Sequence, residues 1–304
     1  VGVYPHLYIF RAKTDDSPSV RFVLEDAQAI VSGESFATFK TRTVIEELKI
    51  PSGAVWSAQK KTRKGLAKLE SVCEIEGGIT GYQAQEALKA IRDGKKGIPT
   101  GKAAPFIVSG NIGKGKIEYG TVRYMKHDFD APYIDMTSTV ITDGKKALFT
   151  GEKIVIAGMT KEIRACYVAE PVAVGVGVFS ITKSEIEFEA LAAVLNSLAF
   201  TFLYREKFEA KHLAGGYLAI NASQLKDADF PRDLTSSDVK ALKAWYKRLS
   251  SKRMSEGDRF EYERFVAGLL GVSVGEIGTL QVFDSESREV IELMRKSKGA
   301  KKAA

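Results

Sequence analysis

The sequence predicts an α+β protein: a strand-rich, mixed-sheet region built on one buried central helix, followed by a C-terminal helical region. Three observations predict it. Residues 190–204 read ALAAVLNSLAFTFLY, apolar almost all round, and a helix of that kind buries every face. The preceding hundred residues hold short runs rich in Val, Ile, Tyr and Phe, punctuated by Gly, Asn and Asp, which is strand and turn chemistry. After Pro231 the apolar residues recur at a 3.6 period instead.

At about 15 residues, with Asn196, Ser197 and Thr201 inside it, the central helix is shorter than the roughly 20 residues a bilayer span needs. It reads as a core helix, and no membrane partner is expected. Ser184 and Glu187 have capping-box spacing and place its start.

Composition narrows the function. A chain of 304 residues that is 44% hydrophobic has the apolar material for a real core, which excludes a wholly disordered protein. Lys plus Arg number 45 against 38 Asp plus Glu, a net charge of +7 that favours acidic partners such as nucleic acid. Part of the excess sits in a basic tail at residues 295–302. Cys73 and Cys166 lack C-x-x-C spacing, and His6, His127 and His212 lack metal-ligand spacing, so neither a disulfide framework nor a metal site is expected. No apolar leader with a cleavage site is present and the first residue is not Met; the expectation is a cytoplasmic piece cut from a larger protein.

Taken in order, residues 1–10 read as a strand, residues 20–24 as another, and residues 43–48 as a short helix. Pro51-Ser52-Gly53 is turn chemistry and marks a first boundary at 52/53. The basic run Lys60-Lys61-Thr62-Arg63-Lys64 leads into a short helix reaching Leu69. A strand then enters Gly77-Gly78-Ile79-Thr80-Gly81-Tyr82, where glycines allow sharp turning and close backbone approach, a geometry that suits phosphates. A polar helix at 83–92 and a loop at 93–102 follow. Further strands are expected at 105–109, 117–124, 136–141 and 145–150, then a hairpin of 153–160 with 163–167, then a strand at 172–181.

Beyond the central helix, a basic and aromatic segment at 205–212 leads to Gly215-Gly216-Tyr217, a short strand, a turn capped by Asn221, and Phe230-Pro231. The second boundary falls at 231/232. Thr235 and Asp238 cap a helix with Val239, Leu242, Trp245, Tyr246 and Leu249 on one face, and helices at 258–270 and 285–295 complete the chain.

Three motifs fail on inspection. Gly97-Ile98-Pro99-Thr100-Gly101-Lys102-Ala103 is one residue short of a P-loop and lacks the hydroxyl after Lys. Gly110-Asn111-Ile112-Gly113-Lys114-Gly115 precedes a strand where a dinucleotide fingerprint requires a helix. Asp130-Ala131-Pro132-Tyr133 has Ala131 where amino-methyltransferases need the first proline of the tetrapeptide that holds the target amine. With no carboxylate pair, nucleophile-base pair or metal cluster either, no catalytic residue and no cofactor is assigned to this chain.

The order of the remaining motifs carries a resemblance. Val3-Tyr4-Pro5-His6-Leu7-Tyr8-Ile9, the Gly77-Gly78-Ile79-Thr80-Gly81 loop, Pro105-Phe106-Ile107-Val108-Ser109-Gly110-Asn111-Ile112, Arg123-Tyr124, the hairpin of residues 153–164, Leu195-Asn196-Ser197, Gly215-Gly216-Tyr217 and Phe230-Pro231 follow one another along the chain. In that order the chain resembles the C-terminal part of TaqI-like adenine-specific DNA methyltransferases, the type often fused to a nuclease in single-chain type II restriction-modification enzymes. The resemblance covers most of residues 1–231. It departs at residues 83–104, an insertion, and at residues 236–304, which have no family counterpart.

The resemblance implies three parts: residues 1–52, the end of a methyltransferase-like sheet and a linker; residues 53–231, a DNA target-recognition domain; and residues 232–304, a helical region with the basic tail. It implies a parent enzyme that methylates adenine N6 with S-adenosylmethionine in an upstream domain, while this chain, non-catalytic alone, holds duplex DNA. Phosphate contacts are then expected from Lys60, Lys61, Arg63, Lys64, Thr80, Gly81, Lys207 and Lys211. Base reading is expected from Arg123, Lys161, Arg164 and Tyr167, with Tyr82 and Tyr217 beside them. For any one of these cations a surface salt bridge is the competing role. The competing function is a protein-interaction module, with residues 232–304 docking a methyltransferase or nuclease subunit and reading no bases.

Overall fold

The computed structural model describes residues 19–23, 44–49, 63–79, 82–95, 97–208, 217–251, 254–280 and 285–300. They belong to two compact units, Tyr4–Lys61 and Thr62–Ala304 with Val1–Val3. In the smaller unit β1 (Ser19–Val23) pairs antiparallel with β2 (Val44–Lys49), Val20 opposite Leu48. Of residues 43–48, expected as a helix, those at 44–48 are thus in a strand. Val44 and Ile45 are β-branched, a residue type that favours strands over helices.

The larger unit is α+β. Its short β3 (Leu66–Lys68), which pairs with β16 (Asp229–Pro231), takes the place of much of the helix expected before Leu69, of which a 3-10 turn, Leu69–Ser71, remains. One antiparallel sheet has the order β12-β10-β14-β4, formed by Ala165–Val168, Lys153–Ala157, Val178–Ser184 and Cys73–Gly77. A second, mixed sheet has the order β13-β6-β9-β5, with Ala173–Val174 parallel to Ala103–Ile107, then Tyr133–Asp135 and Ile91–Arg92 antiparallel. Strand β10 is buried along its whole length because both of its faces are covered. Ile154 and Ile156 enter the core built on the central helix, with Leu191 and Val194. Val155 and Ala157 enter a second core with Phe106, Ile107 and Val174. This is the period-two alternation of a strand between two layers.

The expected strand at 172–181 divides between the two sheets. Ala173–Val174 stays in the mixed sheet, Val178–Ser184 crosses to the other, and Gly177 at φ +73° makes the turn between them. Residues 145–150, also expected as a strand, lie in helix α2 (Asp143–Thr150), which follows helix α1 (Tyr82–Ala90) in the chain. Asp143 stands in the first turn of α2, and at its far end the buried Lys153 ammonium donates to the carbonyls of Phe149 at 3.0 Å and Gly151 at 2.8 Å. Burial pulls the Lys153 pKa down to about 8.

The central helix is two helices. Segment α3 (Phe188–Leu195) ends at Asn196, and α4 (Leu198–Phe208) begins after Ser197, whose hydroxyl accepts from the Phe200 amide at 3.0 Å. The capping box expected at Ser184 and Glu187 does not form: Ser184 closes a strand and its hydroxyl accepts from the Ile186 amide. A reciprocal box does form at Thr235 and Asp238, ahead of α6 (Ser236–Ser251), which follows the short α5 (Ala222–Asp227).

Helices α6, α7 (Glu256–Leu269) and α9 (Ser285–Ala300), with the one-turn α8 (Val274–Ile277) between the last two, share the core of the central helix. Leu242, Tyr246, Tyr262, Val266, Val290 and Met294 all lie in that cluster, and the expected divide at 231/232 runs through it. Among the described residues no helix is long and apolar enough to cross a membrane.

Candidate functional site

Three polar residues of the central helix, Asn196, Thr201 and Arg205, have a common target. Asn196 extends its side-chain amide to one residue of the neighbouring strand, accepting from the Ala165 amide at 2.9 Å and donating to the Ala165 carbonyl at 2.8 Å. In doing so it pairs β12 as another strand would. One turn on, the Thr201 hydroxyl accepts from the Ile163 amide at 3.1 Å, and another turn on Arg205 donates to the Lys161 carbonyl at 2.6 Å. Three helix side chains therefore fix the backbone of residues 161–165, which a free loop would leave to water.

Within that turn the side chains divide. Glu162 and Ile163 are buried, while Lys161 and Arg164 are half-buried. The Glu162 carboxylate pairs with Lys114 at 2.7 Å and accepts from Ser287 at 2.7 Å, tying the turn to helix α9. Strand β11 (Met159–Thr160) pairs antiparallel with β15 (Leu218–Ala219), Thr160 opposite Leu218. That register carries Tyr217 to Lys161, whose ammonium lies 5.1 Å from the centre of the tyrosine ring.

The result is an open cleft of about 340 Å³ lined by Ser109, Gly110, Met159, Thr160, Lys161, Glu162, Arg164 and Tyr217. Its floor is tightly built. Ser109 donates to the Gly177 carbonyl and accepts from the Gly158 amide, and a Cβ at Gly158 would stand 2.3 Å from that same carbonyl oxygen. Two large apolar side chains face solvent at the rim, Met159 and Tyr217.

Of the residues expected from sequence, the fold brings Lys161, Arg164 and Tyr217 together here. Tyr167 lies elsewhere. Its ring stacks on Phe188 at 5.6 Å, its hydroxyl donates to Glu152, and its amide donates to Tyr246. Arg123 is exposed on β7 (Thr121–Tyr124), and Tyr82 is 76% exposed at the start of α1. Lys64 is exposed near the start of the unit. Lys60, Lys61, Thr80, Gly81 and Lys211 lie outside the described residues.

Arg63 and Lys207, expected as phosphate contacts, have partners within the fold. The Arg63 side chain is only 5% exposed and bridges Glu206 at 3.0 Å and Glu276 at 3.2 Å. Lys207 bonds the Asp227 carbonyl and the Asp229 carboxylate, the latter at 2.7 Å. Both cations join elements of the fold, because a charge removed from water must find a partner there.

Sequence reasoning missed Ser109, Gly110, Met159, Thr160 and Glu162 in the lining, and Asn196, Thr201 and Arg205 behind it. The usable signal was polar residues recurring through an otherwise apolar helix. Both cysteines are buried and free, and burial pushes their thiols up, Cys73 to about 12 and Cys166 to about 11, which leaves neither a nucleophile. Among the described residues no group of His, Cys, Asp and Glu could hold a metal ion.

No protein-family model matches the chain, and no curated protein matches it. Among solved structures it is similar to the HsdS subunit from Thermoanaerobacter tengcongensis, with 12% identity, TM-score 0.37, and coverage of 79% of this chain and 45% of that one. It is also similar to the Type IIL restriction-modification enzyme MmeI, solved in complex with DNA, with 10% identity, TM-score 0.41, and coverage of 84% and 40%. A third likeness is to a chain of a type I restriction-modification system, with 11% identity, TM-score 0.37, and coverage of 78% and 47%. The chain spans less than half the length of each of these structures. Likenesses this distant carry no argument about activity, and the functional reading rests on the chain's own residues.

Proposed function

We propose that this chain is the sequence-reading module of a restriction-modification DNA methyltransferase, gripping duplex DNA while a methyltransferase domain or subunit carries out methyl transfer. The observation that carries the reading is the convergence of Lys161, Arg164 and Tyr217, from two distant stretches of chain, on one turn held by the central helix. A base-reading group must be presented rigidly, and these are cationic and aromatic side chains of the kinds that meet phosphates and base edges. The net charge of +7 favours the same partner.

In this reading Arg164 presents its guanidinium fork to a guanine edge, Lys161 neutralises a phosphate, and Tyr217 supplies apolar contact at the rim. Lys64 contributes non-specific attraction. The resemblance in motif order supports adenine N6 as the methylated atom and, with it, S-adenosylmethionine as the partner domain's methyl donor. The competing protein-docking reading needs apolar helix faces turned outward at residues 232–304. Leu242, Tyr246, Tyr262, Val266, Val290 and Met294 are instead buried in this chain's own core.

Purified chain is expected to bind duplex DNA with affinity that falls at least tenfold as salt rises from about 50 to 200 mM. Fluorescence anisotropy reads this, and unchanged affinity over that range would contradict the proposal. Arg164→Ala is expected to alter sequence preference, whereas Lys64→Ala weakens binding to every duplex alike. Equal losses on all duplexes from both variants would remove the roles assigned to them.

A further inference from the structure

A hairpin of the larger unit is anchored on one face and bare on the other. It consists of β7 (Thr121–Tyr124) and β8 (His127–Asp130). Val122 and Tyr124 are buried; the Tyr124 ring meets Phe106 edge-on at 5.0 Å, and its hydroxyl donates to the Ala84 carbonyl at 3.1 Å. That bond sets the hairpin against the first turn of α1, two residues from Tyr82. Thr121, Arg123 and all of residues 125–128 are exposed.

The connecting turn is built from Met125 at φ 49° and Lys126 at φ 71°. Two-residue hairpin turns with both central residues at positive φ are ordinarily Asn-Gly or Gly-Gly, because a Cβ is strained there. Met and Lys both carry that Cβ and lack the short polar side chain with which Asn eases the conformation. Backbone strain of this kind clusters at functional sites. What the two side chains present outward is an apolar tip beside a cation, with Arg123 just behind. Among the described residues Arg123 is paired with Asp128 at 3.9 Å, with the two side chains 74% and 65% exposed. The other acid of the hairpin, Asp130, is already engaged by Lys95 at 3.2 Å and Thr121 at 2.9 Å. The free end of the hairpin therefore carries net positive charge.

The geometry points to this hairpin as a second reading element, a two-stranded ribbon that enters the major groove of the duplex. The inference rests on the DNA-recognition reading above. A major groove about 12 Å wide admits such a ribbon, Arg123 can exchange Asp128 for a guanine edge, and Met125 can meet a thymine methyl group. Lys126 then lies at a phosphate.

The test uses the full chain and a randomised duplex pool, sequenced after retention. Met125→Asn with Lys126→Gly installs the turn chemistry that this backbone favours, so the melting temperature is expected to hold or rise. Affinity for the duplex that the wild type enriches is expected to fall about tenfold, with a salt slope shallower by about one. Arg123→Ala is expected to relax one base position of the enriched motif. If both hairpin variants keep the wild-type motif and affinity while Arg164→Ala loses them, the hairpin proposal is overturned and the reading at the cleft stands; a hairpin that docks a protein gives this outcome. If the wild type enriches no motif and binds without salt dependence, both fail.

Discussion

Asn196→Leu is expected to lower stability by about 2 kcal/mol and to erase discrimination between duplexes. The substitution keeps the branched side-chain skeleton and removes the polar bonds, one to the Ala192 carbonyl and the pair to Ala165, a residue with no solvent exposure. The stranded Ala165 amide bears a desolvation cost of about 1–3 kcal/mol, which sets the scale, while the carbonyl keeps the Gly115 amide at 2.9 Å. Because Ala165 directly follows Arg164, the loss is also expected to free the turn that carries Lys161 and Arg164. Urea denaturation reads the first effect as a lower midpoint at constant slope, and selection from a random duplex pool reads the second. A variant as stable and as selective as the wild type would mean that the central helix does not hold the turn.

Glu263→Gln is expected to change how stability depends on pH. Glu263 is buried in the core, its carboxylate accepting from the Leu198 amide at the start of α4 at 2.7 Å. Desolvation by burial pushes its pKa up to about 7, opposed by Lys114, the Leu198 bond and Arg259, and reinforced by Glu162. A carboxyl whose folded pKa is raised binds more protons folded than unfolded between about 4.5 and 7. Its contribution is therefore fully present below pH 4.5 and lost as pH rises through about 7, a change on the order of 3 kcal/mol. The glutamine side chain keeps an acceptor for Leu198 and stays neutral. The variant is expected to match the wild type near pH 4.5 and exceed it at pH 8. Parallel stability curves for the two proteins would show that Glu263 does not titrate in this window.

How far the sequence revealed this fold depends on how local each cause is. The apolar run at 190–204 announced a core helix because burial on all sides is written in composition. Its interruption at Asn196 and Ser197 was not read there; Asn196 and Ser197 close α3 on Ala192 and Val194, and the further partner of Asn196, Ala165, is 31 residues away. Ala147-Leu148-Phe149 is too short an apolar run for periodicity to separate strand from helix, and the deciding contact comes from Lys153 reaching back to the helix end.

The same limit governed the site. Arg63, Lys207, Lys161 and Arg164 look alike as basic residues beside aromatics. Only folding shows that Glu206 and Glu276 claim the first, and Asp227 and Asp229 the second, while the other two face a cleft. The strained turn at Met125 and Lys126 had no sequence signal at all, because residues unsuited to a turn do not announce one.

Amide hydrogen exchange of the purified chain, with and without a duplex drawn from its own enriched pool, addresses the central reading most directly. Protection on binding is expected at residues 158–164 and 217–220, with the exposed face of α6 unchanged. Protection confined to residues 236–300, with the cleft exchanging as freely as before, would contradict it.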